Sequence, residues 1–139
     1  MFEQVMIIGN LGRDPELKRL DDGTPVCNFS VATNRTYKDA DGEKVKKTTW
    51  WRVAAWRRLG EVCGEYLSKG RQVQVVGRMN ADESGNPRTW TDQDGNNRAS
   101  YEIVALNVTF LGSGGGGGGD EGLAADAKQA AEPAEDIPF

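Results

Sequence analysis

The sequence predicts an all-β domain with one helix, a small five-stranded barrel plugged at one end, followed by a disordered tail. Three observations carry this. Residues 1–112 hold strand-like runs in a three-plus-two order around a single helical stripe. Composition then changes abruptly at Gly112, where Ser113 and six glycines, Gly114 to Gly119, lead into an Ala-, Asp- and Glu-rich stretch. The 112-residue body is long enough for one core and too short for two.

Phe2 to Asn10 is a strongly apolar run that Asn10-Leu11-Gly12 breaks. Phe2 is expected in the core with Phe29 and Phe110. Asp14-Pro15 and Asp21-Asp22-Gly23 bracket a short segment, Glu16 to Leu20. Val26 to Tyr37 is a long strand whose Cys27, Phe29 and Val31 share one face. Asp41-Gly42 signals a hairpin, and Lys44 to Trp56 returns as the partner strand. The helix spans about Arg58 to Ser68: Leu59, Val62, Cys63, Tyr66 and Leu67 form an apolar stripe, and Gly70 supplies the stop. Gln72 to Met79 is a further strand. The polar stretch Asn80 to Asn97 reads as a protruding hairpin or loop, and Ala99 to Leu111 closes the domain. This order is that of the OB-fold, a five-stranded Greek-key barrel. An open sheet of three plus two strands under one helix is the alternative.

Charge is divided between body and tail. Residues 1–112 carry 16 Lys and Arg against 15 Asp and Glu, while residues 113–139 carry one Lys against six acids. The net charge of −4 therefore hides a nearly neutral body and an acidic tail. Residues 113–134 read as a flexible linker, too poor in apolar groups to offset chain entropy. Residues 135–139 end it with Asp136, Ile137, Pro138 and Phe139. An apolar plug beside carboxylates suits a partner pocket lined by Arg or Lys.

The body's chemistry lies in its aromatics. Along Lys44 to Trp56, alternation puts Lys44, Lys46, Trp50, Arg52 and Trp56 on one face, and Val45, Trp51, Val53 and Ala55 on the other. The second set suits a core or a subunit contact. The first mixes flat rings with cations, which a core rejects, so it is expected to face outward. Such a face suits single-stranded nucleic acid, whose bases stack on rings while cations follow the phosphates. Trp90, between Arg88 and Arg98 in the polar stretch, fits the same role, and Tyr37 beside Lys38 is a fourth candidate. The candidate nucleic-acid-binding set is thus Tyr37, Trp50, Arg52, Trp56, Arg88, Trp90 and Arg98.

Enzyme classes find little support. The chain has no His, which removes most acid–base arrangements, and two cysteines without His make no usual zinc site. The glycine run lacks the Lys-Ser/Thr of a phosphate loop. No catalytic residue, metal or cofactor is expected. Cys27 and Cys63 read as reduced packing residues. With no segment of 18 apolar residues and no signal-like N-terminus, no membrane contact is expected, and cytoplasmic residence with the nucleoid is the default.

Taken together, certain stretches resemble bacterial single-stranded DNA-binding proteins. They are Gly9-Asn10-Leu11-Gly12-Arg13-Asp14-Pro15-Glu16-Leu17, Trp50-Trp51-Arg52-Val53-Ala54-Ala55-Trp56, Glu65-Tyr66-Leu67-Ser68-Lys69-Gly70, Gly77-Arg78, Trp90-Thr91-Asp92-Gln93-Asp94-Gly95 and the Asp-Ile-Pro-Phe end. The resemblance implies an OB-fold, a homotetramer, and base stacking at Tyr37, Trp50, Trp56 and Trp90. It also implies that Asp136 to Phe139 recruits replication, recombination and repair proteins. Two departures stand out: Tyr37 fills a position often held by Trp, and the linker is short. A cold-shock-type RNA binder and an accessory protein acting mainly through protein contacts are the competing readings.

Overall fold

The computed structural model describes residues 1–112. The expected linker 113–134 and the tip 135–139 lie outside the described residues. Element order is β1 (Val5–Leu11), β2 (Glu16–Arg19), β3 (Pro25–Lys38), β4 (Lys44–Trp56), α1 (Arg57–Tyr66), β5 (Gln72–Met79), β6 (Thr89–Thr91), β7 (Asn97–Ala99) and β8 (Tyr101–Phe110).

Five of these strands close a barrel in the cyclic order β1-β5-β8-β4-β3, completed by a β1–β3 pairing. The β4–β8 contact is parallel and the other barrel pairings are antiparallel. This is the OB-fold the sequence predicts. Closure rests on a narrow seam, Asn10 opposite Ala32 and Leu11 opposite Val31. Gly9 permits it, because a Cβ there would collide with the Ala32 carbonyl oxygen. The segment Glu16 to Leu20, bracketed in the sequence, adds β2 to the edge of β3, with Leu17 opposite Cys27.

Alternation along the strands, with a change of phase at a bulge between Ala105 and Asn107 of β8, fills the interior. Cys27, Phe29 and Val31 from β3 meet Val53 and Ala55 from β4, Val73 and Val75 from β5, and Ile103, Val108 and Phe110 from β8. Val62, Cys63 and Leu67 from α1 and its end plug the barrel. Both cysteines are free and buried, and burial pushes the Cys27 thiol up to about 11. The helix ends at Tyr66, short of the expected Ser68, because Leu67 turns extended at ψ 151° while its side chain stays in the core. Lys69 N–H then donates to Asp14 Oδ1 at 2.8 Å and Gly70 N–H to the Leu11 carbonyl at 2.9 Å, tying the connection to β1.

Phe2 corrects the expected core. It is 86% exposed, since it precedes the β1 ladder, which begins only at Val5 opposite Gly77. Phe29 and Phe110 are buried as expected.

β3 and β4 pair over thirteen positions, from Val26 opposite Trp56 to Lys38 opposite Lys44. From Asn34 to Lys44 this ribbon is exposed on both faces and projects beyond the barrel. Its turn is held by Asp39 Oδ1, which accepts from the Asp41 and Glu43 N–H groups at 2.9 Å each, with Gly42 at φ 77°. The polar stretch before β8 forms a second hairpin, β6 against β7, with Trp90 opposite Arg98. Among the described residues no helix is long and apolar enough to cross a membrane.

Candidate nucleic-acid interface

The outer face of β4 carries Trp50, Arg52 and Trp56, as alternation predicts. Trp50 is 54% exposed and Trp56 41%. Val53 and Ala55 point the other way and are buried. Trp51 also points inward but lies near the barrel's mouth, half-buried. Its Nε1–H donates to Thr33 Oγ1 at 2.9 Å, and its ring centre lies 5.0 Å from that of Tyr101. Its polar atom is thereby satisfied, as a partly buried indole requires.

Trp50 lies over the turn that follows β1. A Cβ on Gly12 would strike the far edge of the Trp50 ring, so the missing side chain is what lets the ring settle there. Arg52, across from Ser30 on β3 and Glu102 on β8, reaches toward the second hairpin. There its guanidinium carbon stands 5.9 Å from the centre of the Trp90 ring, within cation–π range. Trp90 is 44% exposed, and its Nε1–H donates to Ser100 Oγ at 3.1 Å. Beside these contacts runs a groove of about 560 Å³ lined by Gly12, Arg13, Trp50, Arg52, Ser100 and Tyr101, among others.

The structure thus brings Trp90, from the second hairpin, to Arg52, two residues along β4 from Trp50. The other candidates stand elsewhere. Trp56 is six residues from Trp50 along one strand, or about 20 Å. Tyr37 sits on the projecting ribbon with the opposite parity, on the face that continues inward to Phe29 and Val31. It is flanked by the Arg35 guanidinium at 5.9 Å and the Lys47 ammonium at 5.7 Å, and is 37% exposed. Arg88 lines a different hollow, of about 550 Å³, with Met79, Pro87 and Tyr101. Arg98 is engaged within its own hairpin: Nε donates to Asp92 Oδ2 at 2.8 Å. That guanidinium, together with the Asn96 and Asp94 N–H groups, holds the Asp92 carboxyl below its ordinary range.

Two residues of the groove escape sequence reasoning. Arg13 lies in a turn, where one Arg among polar residues gives no periodic signal. Tyr101 begins β8 with inward parity, which suggests burial, yet it is more than half exposed because it sits at the barrel's mouth. Among the described residues, no three His, Cys, Asp or Glu side chains come together in a way that could hold a metal.

The single-strand binding protein family model matches residues 2–111. The chain belongs to the single-strand binding protein family. Among curated relatives, a Single-stranded DNA-binding protein 1 of Xylella fastidiosa is 44% identical over 112 residues, 80% of this chain and 78% of that protein. A Single-stranded DNA-binding protein of Neisseria meningitidis serogroup A is 40% identical over 111 residues, 80% of this chain. The match spans only 60% of the Neisseria protein's length. A solved structure, a Plasmodium falciparum SSB complex with ssDNA, superposes with a TM-score of 0.67 at 29% identity. It covers 81% of this chain and 97% of that one. The part of this family member that matches is the whole barrel with its two hairpins, and it stops where the glycine-rich stretch begins.

Proposed function

We propose that this protein binds single-stranded DNA without reading its sequence, and that its C-terminal tip recruits replication, recombination and repair proteins. The observation that carries the first part is the Trp50–Arg52–Trp90 cluster beside an open groove, in a family whose Plasmodium member is seen with ssDNA. Unpaired bases offer π-faces to Trp50 and Trp90, and Arg13 and Arg52 lie where phosphates pass. Trp56, Tyr37, Arg88 and Arg98 extend the contact along β4, onto the ribbon and over the second hairpin. The grip is passive and stoichiometric, and it keeps strands from re-pairing.

A homotetramer supports this mechanism by offering several such faces to one strand. In favour of self-association, Met6 on β1 and Leu106 on β8 are exposed apolar side chains. Gln74 and Thr109, cross-strand neighbours, each bury a polar atom without a hydrogen bond among the described residues.

The tail's role follows from the charge division. An acidic stretch tethered to the body competes weakly with DNA for cationic groups. Nuclease protection and equilibrium binding, with single strands and duplex compared, test the whole reading. Protection of single strands alone is expected, and deletion of residues 113–139 raises affinity at low salt while abolishing partner capture. Equal protection of duplex contradicts the proposal, and unchanged or lower affinity on deletion contradicts the tail's part in it.

A further inference from the structure

Arg57 stands at the corner where β4 gives way to α1. It is the only non-glycine among the described residues with a positive φ, 61°, whereas the other positive-φ positions are Gly23, Gly42, Gly70, Gly85 and Gly95. A residue with a Cβ is disfavoured in this region, and glycine is the unstrained choice. Strain of this kind persists where the side chain is needed.

The close approach of α1 to the end of β4, where a Cβ on Gly60 would strike the Ala55 carbonyl oxygen, calls for a sharp corner, but no side-chain contact accounts for an arginine there. Arg57 is exposed. Its neighbour Arg58 has Glu61 at 3.8 Å, but Arg57 forms no ion pair within the described residues. Its charge reaches Asp22 only weakly: the Asp22 carboxyl is held below its ordinary range first by hydrogen bonds from Thr24, with Arg57 the last of the causes. What Arg57 does adjoin is Trp56, a ring exposed on the outer face of β4.

Resting on the proposed DNA binding, in which Trp56 stacks a base, we infer that Arg57 is a phosphate-binding residue serving that ring, at the end of β4 away from the groove that Trp50 and Arg52 line. A base stacks on Trp56 while the adjoining phosphate pairs with the Arg57 guanidinium. DNA laid along β4 then has a cation near each ring of that strand: Arg52, two residues from Trp50 on the same face, and Arg57 beside Trp56.

The test uses the full chain and an oligo-dT of about ten nucleotides, short enough to lie on one domain. Binding and thermal melting are measured for wild type, Arg57→Gly and Arg57→Lys between 50 and 200 mM salt. Loss of one phosphate contact on a single strand lowers the salt slope by about 0.7, so affinity falls about eightfold at 50 mM and about threefold at 200 mM. Arg57→Gly is expected to show these losses while melting at or above the wild-type temperature, since it relieves the strain. Arg57→Lys recovers most of the affinity that Arg57→Gly loses. Unchanged affinity and slope in Arg57→Gly overturn the inference, as does a loss that Arg57→Lys shares in full. Failure of the wild type itself to bind the oligonucleotide overturns instead the DNA-binding reading on which it rests.

Discussion

Trp50 and Trp51 are neighbours of one residue type with opposite fates, and strand parity decides between them. Trp50 faces solvent over Gly12, whereas Trp51 reaches inward to Thr33 and Tyr101. Truncating them therefore separates binding from stability. Trp50→Ala should cost roughly 1–3 kcal/mol of single-strand affinity, the general figure for a base stacked on such a domain, and leave the melting temperature nearly unchanged. Trp51→Ala should cost about 2 kcal/mol of stability, less than the 3–5 kcal/mol of a fully buried ring. Titration and chemical denaturation of the two variants check both. Gly12 is the complementary case. Gly12→Ala places a methyl against the Trp50 ring and leaves the barrel's core untouched, so it should weaken DNA binding several-fold and shift tryptophan emission without lowering stability by more than about 1 kcal/mol. A wild-type affinity in this variant would show that the ring's resting place does not matter to binding. Parity was legible in the sequence at β4, because Trp50, Arg52 and Trp56 alternate with Val53 and Ala55 over an unbroken run. It was misleading at Tyr101, whose inward direction brings it only against the Trp51 ring at the barrel's mouth and leaves it more than half exposed; Phe2, expected in the core, precedes the first paired residue and has the outward parity of Met6.

At the scale of elements, the two hairpins carry most of the candidate chemistry and the least core. The β6–β7 hairpin is held by its own turn: Asp92 accepts from Asp94 and Asn96 N–H and from Arg98. Because the folded carboxyl of Asp92 titrates below its unfolded value, its contribution is complete above the ordinary carboxylate range. It is lost as pH falls through the lowered value. The hairpin should loosen as pH falls below the ordinary carboxylate range, seen as a change in Trp90 emission while the barrel's far-UV circular dichroism holds. Asp92→Asn should show the loosened emission at neutral pH and little further change in acid; a wild-type titration in that variant would place its origin elsewhere. The long strands and the helix announced themselves by periodicity. The meeting of Trp90 with Arg52 did not, because it depends on how a short polar hairpin leans on the barrel, and neither side chain's neighbours in sequence encode that lean. Tyr37 was a candidate from the sequence, but not as a neighbour of Trp50. Its ring lies on the reverse face of the ribbon, so DNA that touches both Trp50 and Tyr37 must pass around the ribbon's edge.

Across the whole molecule, a barrel of nearly balanced charge presents Trp50, Arg52 and Trp56 on the outer face of β4 and is joined to an acidic tail. Pairing of β4 with both β3 and β8 fixes the spacing between Trp50 and Trp56. The central claim is that the exposed tryptophans meet bases. It is tested most directly by intrinsic tryptophan fluorescence during titration with poly-dT, with duplex DNA as control, at low and high salt. Strong quenching by poly-dT alone, weaker at high salt and diminished by Trp50→Ala, is the expected result. An emission spectrum indifferent to poly-dT, or an equal response to duplex, would contradict the account and leave those rings with a structural role.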